Sequence, residues 1–279
     1  MKFRIALDSG GELPEAYRDK EEYRMVPLTL TVNGVQIVDD GHMSQLELVH
    51  RNAEDPDCPK TACPSPEAYL REFDCGAEHI YAVTLSGELS GSYQSAHIAA
   101  GMYLEDHPDA KIHVFNSVSA SIGESLTVMK ITELEEKGLS FEDIVAQTEE
   151  YIRSKNTFFV LDNLETLRKN GRLSGMKALA AAVLKIKPIC YGTAEGAIGQ
   201  LDQARGMGKA IVKMVSHIVE RTPDPENRIL GISYCNCRER AEIVRDEILK
   251  RMKVRDVLVL PTGGLSTIYA NDGGIIVAI

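Results

Sequence analysis

Short apolar runs separated by polar segments recur along the first half of the chain. The run at 3–8 ends in Ser-Gly-Gly, which is typical of a buried parallel strand followed by a functional loop. Similar runs alternate with stretches of helical periodicity at 25–32, 79–85, 111–115 and 157–161. Strands that alternate with helices indicate crossover units, so the pattern predicts an α/β fold with a mainly parallel sheet.

Capping residues mark the starts of the helices. Ser44-Gln-Leu-Glu47 and Ser140-Phe-Glu-Asp143 fit the capping box, and Ser65 precedes a proline at the first helical position. Helices are predicted at about 66–73, 92–104, 121–137 and 141–154, each with apolar residues three to four positions apart.

The pattern changes near Asn163, where polar turns begin to follow one another. Predicted beyond it are a small-residue helix at 176–184, a Gly-rich hairpin connection at 192–199, a helix at about 205–221, a strand–helix–strand unit at 228–260 and a strand at 275–279. We therefore expect two domains, an N-terminal one at 1–160 and a C-terminal one at 161–279.

Charge and composition narrow the classes of function. The 279 residues carry 41 acidic and 31 basic side chains, a net charge of −10, and the basic ones are scattered, which argues against a nucleic-acid partner. No apolar run approaches the roughly 18 residues that a membrane-spanning helix needs. The opening segment also turns polar too early for a signal peptide, so we expect a cytoplasmic protein without an integral membrane segment.

Sequence motifs of enzymes and metal sites do not occur in the chain. It has no G-x-S-x-G, H-E-x-x-H, G-x-x-x-x-G-K-[ST] or G-x-G-x-x-G segment, and the seven histidines have no distinctive spacing. The six cysteines form no C-x-x-C pair, and Cys235 and Cys237 lack further ligands for zinc. We expect reduced thiols, no metal, no cofactor and no catalysis.

Three polar loops, at 8–12, 85–92 and 116–121, follow predicted strands, where α/β sheets usually bind ligands. The middle loop opens a helix, so the hydroxyls of Ser90 and Ser92 and free backbone N–H groups meet at the positive end of a helix dipole. Such a site holds a carboxylate or phosphate without Lys or Arg. The alternative is that one of these serines is only the helix cap.

The segment at 60–66 is a rigid loop, because two prolines fix their own torsions and restrain the residues before them. Thr61 is therefore held in a reproducible position. This loop either contributes to a binding site or merely connects to the helix that Ser65 caps.

Eight segments, taken in order, carry a resemblance to a known family. They are Leu7-Asp-Ser-Gly-Gly-Glu-Leu-Pro14, Val26-Pro-Leu28, Lys60-Thr-Ala-Cys-Pro-Ser-Pro66, Leu89-Ser-Gly-Ser-Tyr-Gln-Ser-Ala96, Ser117-Val-Ser-Ala-Ser121, Gly171-Arg-Leu-Ser-Gly175, Ile186-Lys-Pro-Ile189 and Arg205-Gly-Met-Gly-Lys-Ala210. Their order and spacing resemble those of the DegV family of bacterial fatty-acid-binding proteins.

The resemblance implies a two-domain fold. An N-terminal three-layer α/β/α domain with a mainly parallel sheet would join a smaller C-terminal α/β domain with a mixed sheet, and the lipid would lie in the interdomain cleft. It also implies non-covalent binding of a single long-chain fatty acid. In some family members a separate kinase then converts the presented carboxylate to an acyl phosphate.

The resemblance also assigns residues. Thr61 and Ser90 would bind the carboxylate, with Ser92 and the N–H of Gly91 nearby. Arg172 and Arg205 match positions that, in kinase-coupled members, lie near the head group or the partner surface.

One position departs from the family pattern. Tyr269 stands where many relatives carry a histidine. A phenol hydrogen-bonds a carboxylate, but it carries no charge near neutral pH and cannot shuttle a proton as histidine does. Two alternatives stay open: a hydrolase or phosphotransferase acting at the Ser90 loop, with Asp8, Ser90 or Ser117 as nucleophile, and a regulatory protein with an empty cleft.

Overall fold

The computed structural model of the chain describes residues 1–173 and 185–279. The strands in this part are β1 (Phe3–Asp8), β2 (Tyr23–Val26), β3 (Thr29–Val32), β4 (Val35–Val38), β5 (Lys60–Ala62), β6 (His79–Thr84), β7 (Lys111–Asn116), β8 (Thr157–Val160), β9 (Ile186–Gly192), β10 (Ile198–Arg205), β11 (Ile229–Tyr234), β12 (Asp256–Pro261) and β13 (Ile275–Ala278). The helices are α1 (Glu15–Arg18), α2 (Gln45–Glu54), α3 (Pro66–Phe73), α4 (Ser92–Asp106), α5 (Ile122–Glu136), α6 (Phe141–Ser154), α7 (Glu165–Lys169), α8 (Met207–Arg221), α9 (Arg238–Leu249) and α10 (Gly264–Ala270).

The described strands form three sheets. A four-stranded parallel sheet has the order β2-β1-β6-β7, and a six-stranded mixed sheet has the order β10-β9-β8-β13-β11-β12. A small antiparallel sheet, β4-β3-β5, completes the set. The α/β class, with a parallel sheet followed by a mixed one, is confirmed.

Side chains on alternate faces of β1 build the three-layer unit. Ile5 and Leu7 pack toward Val128 of α5 and Ile144 of α6, whereas Ala6 packs toward α3 and α4 on the opposite face. This period of two is what a strand buried on both faces requires.

Helix α5 lies between the two large sheets. Val128 packs on the parallel sheet, while Ile122 and Leu126 pack against Ala278 of the six-stranded sheet. The helix therefore packs against both large sheets, and most of its residues are buried. Helices α8 and α9 cover the other face of the six-stranded sheet through residues such as Met214 and Val244.

Most of the predicted elements are confirmed. Helices lie at Pro66–Phe73 and Phe141–Ser154, as the caps and periodicity indicated, and Ser44 and Ser140 accept hydrogen bonds from the N–H groups of Glu47 and Asp143. The Gly-rich segment at 192–199 connects β9 and β10 as a hairpin.

Two strand predictions differ from the structure. The run at 25–32 is divided between β2 and β3, which lie in different sheets, because Pro27 has no N–H to donate to a strand partner. The strand at the start of the run at 157–161 exists, but it pairs antiparallel with β13 and β9. Apolar patterning reports burial and does not identify the partner strand.

The position of strand β8 affects where the chain divides into two domains. Because it belongs to the six-stranded sheet, a division by sheets falls between α6 and β8, a few residues before the predicted boundary at 160/161. The predicted helix at 176–184 lies outside the described residues. No helix in the described part is long and apolar enough to cross a membrane.

Candidate functional site

A cavity of about 340 Å³ lies between the loops that follow β6 and β7 and one face of the six-stranded sheet. Its volume is in the range typical of small-molecule sites. The larger apolar residues of its wall include Leu28, Leu85, Phe159, Leu161, Leu265 and Ile276. The position, beyond the carboxyl ends of parallel strands, is where the sequence predicted ligand binding.

Thr61 and Tyr269 meet at the mouth of this cavity. Thr61 lies on β5, where pairing with Leu30 of β3 fixes its backbone, and Tyr269 lies in the last turn of α10. Their hydroxyl oxygens are hydrogen-bonded at 3.0 Å. The fold thus joins two predicted site residues that are far apart in sequence, and both line the cavity.

The Ser90 loop forms the adjoining part of the mouth. Ser90 and Gly91 line the cavity, and Ser92 is fully buried behind them, with its Oγ 3.0 Å from Ser90 Oγ. Ser90 Oγ accepts a hydrogen bond from the N–H of Ser92 at the start of α4, so it also stabilises the helix end. Among the described residues, the N–H of Gly91 has no hydrogen-bond partner.

The structure separates the two predicted arginines. Arg172 lines the cavity, and its Nε donates to the carbonyl oxygen of Leu89 at 3.1 Å. Its Nη1 also donates to the carbonyl oxygen of Asn170, so the guanidinium is held at the mouth by two backbone carbonyl groups. Arg205 lies elsewhere, in a surface groove with Lys209 and Lys213.

Two buried carboxyl groups lie behind the Ser90 loop. Asp8 accepts hydrogen bonds from the N–H groups of Gly10 and Leu85, both at 2.9 Å, and Glu124 on α5 lies close to it. Burial raises the pKa of Asp8, against the opposing effect of these bonds and of the Ser92 hydroxyl.

Among the described residues, no group donates a hydrogen bond to either carboxyl oxygen of Glu124, although both oxygens are buried. Burial, and then the charge of Asp8, hold the pKa of Glu124 well above its usual range. Two facing carboxylates in a dry environment repel each other, so the pair retains a proton.

Lys155 is the cation of this buried region. Its Nζ donates to the carbonyl oxygen of Gly123 at 2.6 Å and to Thr127 Oγ1 at 2.9 Å. Burial lowers the pKa of Lys155 to about 7, although the charge of Glu124 favours the protonated amine. Burial thus opposes the charged forms of Asp8, Glu124 and Lys155 alike.

No histidine lines the cavity within the described residues, and of the three nucleophiles that the sequence offered only Ser90 lines it, whereas Ser117 and Asp8 do not. Ser117 is fully buried and donates to the carbonyl oxygen of Ser119 at 3.2 Å, and Asp8 is held by backbone N–H groups. The described part of the chain also has no group of three His, Cys, Asp or Glu side chains that could hold a metal. What the mouth offers is hydrogen-bond donors for a bound anion.

Sequence reasoning did not identify several residues of the wall. Cys63, Ser119, Thr157 and Ile276 all line the cavity, although the loops at 60–66 and 116–121, which contain the first two, were singled out from the sequence. Cys63 is two residues after Thr61 in an extended segment. Because alternate residues of a strand face the same side, the position of Thr61 could have predicted that of Cys63. Ser119, Thr157 and Ile276 reach the cavity because of the way the two large sheets pack together, and no local sequence pattern predicts that packing.

The fold and the site define a class: α/β proteins with two large sheets that enclose an apolar cavity beneath a mouth of neutral hydroxyls. A family model described as "Uncharacterised protein, DegV family" matches residues 2–279. The chain belongs to the DegV family, and the resemblance noted in its sequence is confirmed.

Similar proteins extend over nearly the whole chain. A DegV domain-containing protein of Streptococcus pneumoniae strain R6 is 35% identical over 282 residues, covering 99% of this chain and 98% of the relative. The crystal structure of a DegV family protein from Ruminococcus gnavus, refined with vaccenic acid, has 44% identity and a TM-score of 0.97, covering 100% of this chain and 99% of that one. The fatty acid kinase (Fak) B3 protein of Streptococcus pneumoniae, loaded with linoleic acid, has 33% identity and a TM-score of 0.89, with coverage of 100% and 99%.

Proposed function

We propose that this protein binds one long-chain fatty acid non-covalently in the cleft between its two large sheets. The observation that carries the proposal is an apolar cavity of about 340 Å³ whose mouth is lined by hydroxyl groups. The similar structures from Ruminococcus gnavus and Streptococcus pneumoniae, which hold vaccenic and linoleic acid, support the same ligand class.

The carboxylate would lie at the mouth. Thr61, Ser90 and Tyr269 supply hydroxyl donors there, and Gly91 supplies a backbone N–H at the start of α4, where the helix dipole favours an anion. Ser92 would orient Ser90 from behind, and Arg172 would add the only nearby positive charge of the described mouth residues.

The acyl chain would supply most of the binding free energy. Each buried methylene is worth about 0.8 kcal/mol, so a long chain contributes roughly 10 kcal/mol before the ordering costs are subtracted. A neutral mouth therefore suffices for tight binding. We infer a carrier and not a catalyst, because the described wall of the cavity has hydroxyls but no histidine beside them to act as a base.

We also propose that the carrier presents its carboxylate to a kinase, because one similar protein is named a fatty acid kinase B3 protein. The exposed neighbours of the mouth, Gly87, Glu88, Gly171 and Arg172, form a shallow surface pocket through which a partner could reach the carboxylate. With a tyrosine at position 269, the described lining of the cavity has no histidine for proton transfer.

Native mass spectrometry of the purified protein, followed by solvent extraction, tests the proposed function. We expect one fatty acid per chain, and much less of it in a Thr61→Ala/Ser90→Ala double variant, because two carboxylate donors are lost. Ser216→Ala, a serine on α8 remote from the cavity, is the control and should retain the wild-type load. A bare protein that also fails to take up palmitate or oleate would refute fatty acid binding.

A further inference from the structure

We propose that Ser119, Thr157 and Gly192 form the far end of the cavity and set the longest acyl chain that the protein accepts. This inference rests on the proposed function, since it concerns the tail of a fatty acid whose carboxylate lies at the mouth. All three residues line the cavity.

Strand β8 gives the cavity a direction. Thr157, Phe159 and Leu161 all line it, because alternate residues of an extended chain face the same side. At about 3.3 Å per residue, Thr157 and Leu161 are about 13 Å apart along the strand. Beyond Leu161 the chain continues through α7 to Arg172, which is bonded to Leu89 at the mouth. Thr157 therefore marks the opposite end.

A hydrogen bond between two hydroxyls closes that end. Ser119 Oγ and Thr157 Oγ1 are 2.7 Å apart, and Ser119 Oγ also lies 3.4 Å from the carbonyl oxygen of Ala120. Both hydroxyl hydrogens can be satisfied within this arrangement, so the terminal methyl of a lipid would face no unpaired donor. This hydrogen bond also connects the loop after β7 to the start of β8 and so fixes the position of the wall.

Gly192 lies directly across from Thr157. The pairing of Phe158 with Tyr191 and of Phe159 with Cys190 brings Gly192 opposite Thr157 in the antiparallel register. A Cβ atom on Gly192 would lie 3.7 Å from Thr157 Cβ and 3.8 Å from the carbonyl oxygen of Val118, which are ordinary van der Waals separations. An alanine thus fits without strain, and its methyl group would occupy space that the glycine leaves to the ligand.

Two substitutions with opposite effects test the inference. For saturated fatty acids of every length from about C10 to about C20, affinity should rise about fourfold with each methylene until the chain reaches the end wall, and then level off or fall. The break is the chain length at which affinity stops rising. In Gly192→Ala it should come at a shorter chain, because the added methyl group fills the end of the cavity. In Thr157→Ala it should come at a longer chain, because the wall recedes. Isothermal titration calorimetry gives the affinities.

Two further variants control this experiment. Thr157→Val removes the hydroxyl but keeps the volume of the wall, so a break that moves in Thr157→Ala and not in Thr157→Val is set by volume and not by the hydrogen bond to Ser119. Gly208→Ala, on α8, adds a Cβ with nothing within 4 Å and should leave the whole profile unchanged. Unshifted breaks in both test variants, or an equal loss at all lengths, would overturn the inference while leaving fatty acid binding intact. Failure of the wild type to bind any of these acids would instead refute the proposed function.

Discussion

Glu12 connects distant parts of the molecule through a single carboxyl group. Its oxygens accept hydrogen bonds from Ser121 at 2.9 Å, from Ser233 at 3.1 Å and from the N–H of Gly263 at 3.2 Å. These partners lie at the start of α5, on β11 and before α10. Burial raises the pKa of Glu12 to about 7, although the hydrogen bonds favour its ionised form.

A Glu12→Gln variant should reveal the effect of this raised pKa on stability. The unfolded chain loses the Glu12 proton near pH 4.5, whereas the folded protein keeps it to about pH 7. The contribution of Glu12 is thus fully present below pH 4.5 and is lost as the pH rises through 7. Relative to the variant, the wild-type free energy of unfolding should fall by roughly 3 kcal/mol over this window, as measured by urea denaturation.

The control for this measurement is Glu15→Gln, which changes an exposed glutamate on α1. We expect its pH profile to follow that of the wild type. A wild-type free energy that rises with pH relative to Glu12→Gln would contradict the assignment, because it would mean that folding favours the ionised carboxyl.

The contributions of single residues to the site were only partly predictable. Thr61, Ser90 and Gly91 were identified from a rigid loop, a helix start and a family resemblance, and all three line the cavity with Tyr269. The same resemblance also suggested Arg205, which the structure places in a separate groove. Sequence spacing shows which residues are adjacent along a chain, but not which surface of the folded molecule they share.

At the scale of elements, capping residues gave the most reliable boundaries. Ser140 Oγ accepts a hydrogen bond from the N–H of Asp143 at 3.2 Å, whereas Ser65 makes no such side-chain bond at the start of α3. The proline that follows Ser65 has no N–H, so the first turn of α3 has one fewer donor to satisfy.

These two caps should differ in energetic value. We expect Ser140→Ala to lower the free energy of unfolding by about 1 kcal/mol, and Ser65→Ala to change it by much less. Both serines are exposed, so loss of packing does not complicate the comparison. Chemical denaturation of the two variants measures the difference, and equal losses would show that the Ser140 hydrogen bond contributes nothing specific.

Strands were harder to assign than helices. A helix satisfies its own backbone groups, so caps and a period of 3.6 residues define it locally. A strand needs a partner, and the apolar run at 157–161 looked the same whether its partners were parallel or antiparallel. Pro27, which separates β2 from β3, was visible in the sequence, but its consequence depends on a second sheet that accepts the continuing chain.

At the scale of the whole molecule, the cavity exists only where the two large sheets meet. Phe159 and Ile276 come from the six-stranded sheet, and Leu85 comes from the loop after the parallel one. A ligand at this junction contacts the six-stranded sheet and the loops of the parallel sheet at once. It therefore has no equivalent site in either sheet alone or in the unfolded chain.

Fatty acid should accordingly stabilise the protein against global unfolding. At a free palmitate concentration one hundred times Kd, the free energy of unfolding should rise by about 2.7 kcal/mol. Denaturation curves with and without palmitate measure this gain, and methyl palmitate, which lacks the carboxylate, should give a smaller one. Protection from hydrogen exchange should increase in both β6 and β8. Protection confined to one sheet would contradict binding at the junction.

The position of β13 has a consequence for synthesis on the ribosome. This strand, Ile275–Ala278, pairs with β8 on one side and β11 on the other, so it joins the two halves of the six-stranded sheet. Its Ile276 is also part of the cavity wall. Until residues 275–278 leave the exit tunnel, β8 and β11 lack the strand that pairs with both of them. The fatty acid that we propose as the ligand would therefore find a complete cavity wall only after this strand has emerged.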